Sequence, residues 1–232
     1  MQIVEEGIHS KALLRLMHLS SPSLPIGAYT YSQGLEAAID CGQVTDEKTA
    51  GAWIADALTV VADFEAPIVW RLLQAFAARD ADQVTYWTDN FIGARDTTEF
   101  RAETIQMGYS LSKLIAELNI ADESLVKILE TQEEVPLPTA FACAAVALAV
   151  PAQSAMLANL YAMVENQVLA CLKSVPLGQV AGQRLLLSLH SNIEAAAHRA
   201  QQLEDDELSN RAPGLSVLSM QHEVQYSRIY RS

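Results

Sequence analysis

Residues 185–196 read Leu-Leu-Leu-Ser-Leu-His-Ser-Asn-Ile-Glu-Ala-Ala, and their spacing decides the fold class. Leu185, Leu189, Ile193 and Ala196 are separated by four, four and three positions, which places all four on one face of a helix. The same period recurs along the chain. Leu13, Leu14 and Met17 form one stripe, Trp53, Ala57, Val60, Val61 and Phe64 another, and Leu111, Leu114, Ile115 and Leu118 a third. No segment alternates apolar and polar residues between turn signals, and no hairpin dipeptide such as Asn-Gly occurs. The pattern predicts an all-α bundle of about ten helices.

Helix starts and stops agree. Thr30-Tyr31-Ser32-Gln33 fits a capping box, and Thr45 precedes the acidic pair Asp46 and Glu47, which suits the positive end of a helix. Pro67, Pro138, Pro151 and Pro176 start or kink helices. Ser20 to Gly27 holds two prolines and a glycine and reads as a loop. Glu204 to Glu207 is an acidic run at a helix end, where the dipole disfavours it. The expected organisation is a helical domain over 1–203, followed by a linker and partner-binding tail over 204–232.

The chain has 232 residues, half of them hydrophobic, enough apolar surface for a large core and too much for a disordered chain. Its 15 Lys+Arg against 28 Asp+Glu give a net charge of −13. That balance argues against nucleic acid and anionic membrane surfaces as partners. The most apolar run, Ala140 to Ala152, is shorter than the ~20 residues of a spanning helix and reads as buried. The first seven residues lack the basic flank and apolar core of a secretory signal. Cys41, Cys143 and Cys171 are isolated among apolar neighbours, which suggests buried free thiols and a reducing, cytoplasmic location.

The chemistry expected of a nucleotide or metal enzyme is missing. There is no phosphate loop, no dinucleotide fingerprint, no Gly-x-Ser-x-Gly elbow, no Cys-x-x-Cys and no His-Glu-x-x-His. No catalytic residue, metal or cofactor is expected. His190, Glu194 and His198 recur every four residues, but eight residues rise roughly 12 Å, too far for one ion. They read as a solvated stripe, or, with ligands from another helix, as part of a metal-dependent hydrolase. His18 reads as a partly buried, hydrogen-bonded histidine. Arg184 beside Gln179 and Gln183 is unusual in a pure core, and can face a partner. Tyr226, Arg228, Tyr230 and Arg231 crowd the last seven residues, and tyrosine and arginine anchor protein interfaces. This basic-aromatic tail has no evident use inside its own acidic domain, so it is expected to order on a partner. A generic helical adaptor fits these features too.

Three blocks carry a family resemblance. Residues 14–36, LRLMHLSSPSLPIGAYTYSQGLE, resemble the N-terminal signature of UreF urease accessory proteins. Lys173-Ser-Val-Pro176-Leu-Gly178-Gln179 with Gln183 is similar to an internal Lys-x-x-Pro-x-Gly-Gln segment of that family. His222-Glu-x-Gln-Tyr226-Ser227-Arg228-Ile-Tyr230-Arg231-Ser232 is similar to its C-terminal ending. Arg95-Asp-Thr-x-Glu99-Phe-Arg101 is a weaker match. Ala28 stands where the family more often has glycine, and Tyr230 where Phe is common.

The resemblance implies a helical, non-catalytic chaperone of urease maturation. It would assemble with UreD (also called UreH) and the GTPase UreG on apo-urease, deliver nickel to the active site, and dimerise within that complex. Tyr226, Ser227, Arg228, Tyr230 and Arg231 would then order against UreD. Lys173, Gln179, Gln183 and Arg184, with Pro176 and Gly178 in the same segment, would form or support the surface toward UreG. Pro25, Gly27, Tyr29, Tyr31, Ser32, Gln33, Gly34 and Glu36 would shape a second contact near the dimer or the tail.

Overall fold

The computed structural model describes residues 9–232; the reading of residues 1–7 as lacking a secretory signal lies outside them. The described residues form twelve α-helices and no strand: α1 Ser10–Leu19, α2 Leu35–Asp40, α3 Glu47–Asp63, α4 Glu65–Ala78, α5 Ala81–Gly93, α6 Thr98–Glu117, α7 Glu123–Glu130, α8 Leu137–Ala147, α9 Ala152–Ser174, α10 Gln179–Ser188, α11 His190–Gln202 and α12 Pro213–Glu223. Short 3-10 turns lie at Ala28–Thr30 and Asp205–Glu207.

The core forms where α4 and α6 press on α8. Helix α8 is built mostly of small side chains and is buried continuously from Pro138 to Ala145, which lets its neighbours approach closely. Gly108 on α6 marks the tightest point. A Cβ there would stand 2.0 Å from the carbonyl oxygen of Val135. Phe76, Leu72, Leu73, Ile68, Phe91, Leu111 and Ile115 fill the space around α8 and α9. By length and composition α9 could cross a membrane, yet half of its most apolar window is buried. It runs through the bundle against α1, α2, α3, α4, α8, α10 and α11.

Caps explain several boundaries. Asp46 begins α3 with its carboxylate accepting from the Thr49 amide at 2.8 Å, while the Thr49 hydroxyl accepts from the Asp46 amide. The cap is thus Asp46, not Thr45. Thr97 and Asp122 cap α6 and α7 with a side-chain oxygen alone, accepting from the Phe100 and Leu125 amides. The expected box at Thr30–Gln33 does not form, because the chain makes a 3-10 turn there and α2 starts only after Gly34. Phe64 breaks the chain between α3 and α4, and Pro67 sits in the first turn of α4, where a missing amide costs nothing.

The stripes were partly misassigned. Leu185, Leu189, Ile193 and Ala196 are all buried, although the chain turns at Leu189 between α10 and α11. On α3 the deep face is Ala50, Ile54, Leu58 and Ala62, one position away from the expected set. Leu13, Leu14 and Met17 face outward, with Leu14 68% exposed. His18 and Cys41 are exposed too, contrary to their expected burial.

The end of the chain differs most from expectation. Arg71 donates to the Leu203 carbonyl at 2.7 Å and pairs with Asp205. The Ser209 amide bonds the Asp63 carbonyl, and the Asn210 amide group bonds the Ala94 carbonyl at 2.6 Å. Helix α12 then lies on α2 and α6, and the last residues continue along the same face. The tail therefore has a seat on its own body, made of groups it was not expected to meet.

Candidate partner-binding site

The seat begins with the loop that follows α1. Gly34 has a left-handed backbone, φ +81°, and a Cβ there would stand 2.9 Å from Leu215 Cδ1 on α12. The loop can turn and receive the tail helix at one point because that residue has no side chain. Beyond it, Ser32 meets the chain end. Its amide and hydroxyl both donate to the Ser232 main-chain oxygen, at 2.7 and 2.6 Å. The Arg231 amide donates to the Thr30 carbonyl at 2.8 Å. From α9, Asn166 and Gln167 donate to the carbonyls of Tyr31 and Ser32, both at 2.9 Å, and fix the loop from behind.

Glu36, on the first turn of α2, is buried and is the centre of the arrangement. One carboxylate oxygen accepts from the Ile229 amide at 2.7 Å, and the other from the Tyr230 amide at 2.9 Å. The second oxygen also faces His222 Nε2 at 2.9 Å. The other ring nitrogen of His222 faces Glu99 at 2.9 Å, and Arg228 donates to Glu99 at 3.0 Å. Arg228 and Glu99 were each quoted in the sequence but not as a pair. A few ångströms along α6, Glu103 accepts from the Gln33 amide group at 2.8 Å and from the Ser232 hydroxyl. Burial pushes the Glu103 carboxyl up to about 7, against the two hydrogen bonds that favour its charge.

Lys173 closes the far side. At the end of α9 its ammonium lies 5.4 Å from the Tyr230 ring centre and 5.9 Å from that of Tyr29. Cation–π attraction of this kind draws a lysine across two rings. Residues of the first and last blocks, with Lys173 alone from the internal block, thus converge in space, although they lie up to two hundred positions apart.

Not every candidate joins this seam. Pro25 is exposed on the loop, and Gly27 supplies a turn at φ +81°. Pro176, Gly178, Gln179, Gln183 and Arg184 lie on a separate exposed surface over the α9–α10 turn and α10. There Val180 is 75% exposed and Leu187 is also exposed. Arg184 is held by Glu47 through two bonds of 2.7 and 3.0 Å. Gly182, by contrast, is a packing position, with Leu172 against it. Tyr230 is already buried in the chain's own body, so it cannot wait for a partner as expected. Tyr226 is fully exposed, and Ile229 and Arg231 turn outward beside it.

His222 was quoted in the last block but not singled out, and Glu103, Asn166 and Gln167 were passed over. A signal for His222 existed: Leu215, Leu218, Ser219 and His222 follow helical spacing, and the last three are buried. His190, Glu194 and His198 are exposed along α11. Among the described residues no group of three His, Cys, Asp or Glu side chains is placed to hold a metal ion. Burial pushes the Cys143 and Cys171 thiols up to about 12, which suits packing rather than nucleophilic chemistry.

Comparison with known proteins adds the family. The UreF family model matches residues 44–190. The urease accessory protein UreF of Janthinobacterium sp. (strain Marseille) is 66% identical over 97% of this chain and 100% of its own length. That of Nitrosospira multiformis is 64% identical over 96% of this chain and 98% of its own. The Cupriavidus necator protein of the same name is 48% identical, covering 95% and 97%. This chain belongs to the UreF family.

Proposed function

We propose that the chain is a non-catalytic accessory protein of urease maturation, acting as a cytoplasmic scaffold. It would hold UreD (UreH) and UreG on apo-urease, with nickel passing as cargo and GTP bound by UreG. The observation that carries this reading is the seam. Residues 29–36, Lys173 and residues 222–232, from the ends and middle of the chain, meet at one place and seat the tail. What the seated tail leaves outward is an aromatic, aliphatic and basic strip of Tyr226, Ile229 and Arg231. Tyrosine and arginine on a well-positioned backbone are the residue types that anchor interfaces. That strip is the surface proposed for UreD, with Ser227 and Arg228 between its members. The α10 surface, Gln179, Val180, Gln183, Arg184 and Leu187, is a second exposed patch and is proposed for UreG. A homodimer within the assembly is part of the same reading.

The test is co-purification with UreD of the native chain and of a Tyr226→Ala, Arg231→Ala variant. Both side chains are exposed, so the variant should keep the native melting temperature. Recovery of UreD should fall by at least tenfold. Undiminished recovery would remove the tail strip from the UreD interface.

A further inference from the structure

Residues 32–35 form a turn that their sequence only half favours. The Leu35 amide donates to the Ser32 carbonyl at 3.2 Å and closes the turn. Both central residues are left-handed, Gln33 with φ +54° and Gly34 with φ +81°. Two successive positive φ values are the mark of a type I′ turn, whose central positions are dominated by glycine, asparagine and aspartate. Gly34 meets that demand without strain. Gln33 does not, because residues other than glycine, asparagine and aspartate rarely adopt positive φ. Such a conformation persists only where the surroundings hold it.

The hold comes from α9. Asn166 donates its side-chain amide to the Tyr31 carbonyl and Gln167 to the Ser32 carbonyl, each at 2.9 Å. The same Gln167 nitrogen lies 3.4 Å from the Gln33 side-chain oxygen. Across from it, Gln33 donates to Glu103 on α6 at 2.8 Å. The Gln33 amide group is thus held from both sides, and the two carbonyls that lead into the turn are held from behind. Gln167 is 1% exposed, and its own side-chain oxygen is buried with no partner among the described residues. An amide with one atom unpaired is costly at that depth, where packing alone would favour an apolar residue. The groups its nitrogen reaches all belong to residues 32 and 33.

The turn also sets what lies on either side of it. The Ser32 hydroxyl accepts from the Glu36 amide at 3.2 Å, which ties the entry of the turn to the first turn of α2. Ser32 and Glu36 are the groups that meet the Ser232 oxygen and the Ile229 and Tyr230 amides.

We propose that Gln167, with Asn166, is a positioning residue: it braces the 32–35 turn and so sets Ser32 and Glu36 in the geometry that receives the chain's end in the assembly with UreD. The two α9 amides act through the turn, not on the partner. The brace is a property of the helical body; its consequence for UreD rests on the function proposed above.

Gln167→Met keeps the length of the side chain and removes the donor. The Leu35 amide reports the turn, and hydrogen exchange on the full chain compares it with the amides of α8 in the same sample. Gln167→Met should lower the relative protection of Leu35 by about tenfold. The melting temperature should stay native, because the unpaired oxygen leaves together with the donor. A packing role would instead lower the melting temperature and the protection of α8 together. In a Gln33→Gly background the turn needs no brace, so Gln167→Met should change Leu35 protection there by less than about threefold. Unchanged Leu35 protection in the single variant, or an equal loss in both backgrounds, would overturn the brace. Recovery of UreD by the Gln167→Met chain should fall by about tenfold as well. Native recovery beside a lost Leu35 protection would overturn the link from the turn to UreD. Failure of the native chain itself to retain UreD would remove the function proposed above, while the Leu35 comparison still decides the brace.

Discussion

Phe76 and His222 are both wholly buried, yet nothing else about their surroundings is alike. Phe76 lies on α4 among aliphatic neighbours, where α4 packs on α8 and α9, and its contribution scales with the apolar area it removes from water. His222 lies under the tail among carboxylates, and its contribution depends on hydrogen-bond partners and their direction. The first kind of interior tolerates exchange of one apolar residue for another of similar volume. The second kind tolerates almost none, because each group removed leaves another buried and unpaired.

The comparison is tested first at its apolar end. Phe76→Ala should cost about 3–5 kcal/mol, the usual range for emptying a well-packed aromatic site. Denaturant unfolding should show the loss for the whole domain, with tail and core failing together, and with little change between pH 6 and pH 8. A loss that varied strongly with pH would mean that the two interiors are not energetically separate.

Glu36→Ala comes next. It strands the Ile229 and Tyr230 amides and removes one of the two carboxylates facing His222. The expected cost is about 2–3 kcal/mol, confined to the tail. Exchange protection should collapse over residues 222–232 and persist in α8 and α9. Global unfolding with a midpoint as low as that of Phe76→Ala would show that the seam is part of the core rather than a fitting on it.

These two positions also show what could be read in advance. The helical class was legible because period 3.6 recurs in segment after segment and nothing competes with it. The face of each helix was less so. Leu13, Leu14 and Met17 form as good a stripe as Leu185, Leu189, Ile193 and Ala196, but only tertiary neighbours decide which stripe is covered. The site was half legible. Glu36, Ser32, Gln33 and Lys173 were named through the family resemblance, whereas their joint purpose was not, since that purpose is to bind residues two hundred positions away. The tail was expected to order only on a partner, because a basic-aromatic segment had no evident use inside a domain of net charge −13. What mattered was the local charge of one seat. Glu103 escaped notice because a lone glutamate on a helix reads as solvated until the fold buries it.

A smaller effect is expected from Glu103→Gln. Replacing the carboxyl by an amide keeps the Gln33 and Ser232 partners and removes a charge that burial disfavours. The variant should match the native chain near pH 5 and be more stable near pH 8, by on the order of 1 kcal/mol. Thermal melts at the two pH values check this. Destabilisation at both would mean that Glu103 is ionised in the native seat.

The smallest effect on stability, and the most informative about partners, is expected on the other surface. Arg184 and Glu47 form a well-aligned pair, but Arg184 is exposed and Glu47 half-exposed, and such surface pairs contribute little because water and salt screen them. Arg184→Ala should therefore leave the melting temperature and tail protection unchanged. If α10 is the surface that meets UreG, the same substitution should still weaken three-way assembly with UreD and UreG, while binary recovery of UreD stays native. That division is what two independent surfaces require, since Arg184 pairs with Glu47 on α3 and not with the tail. Loss of UreD together with UreG would instead mean that the two patches act as one. Retention of both would leave α10 without the role proposed for it, and the seam as the place where the chain commits itself to others.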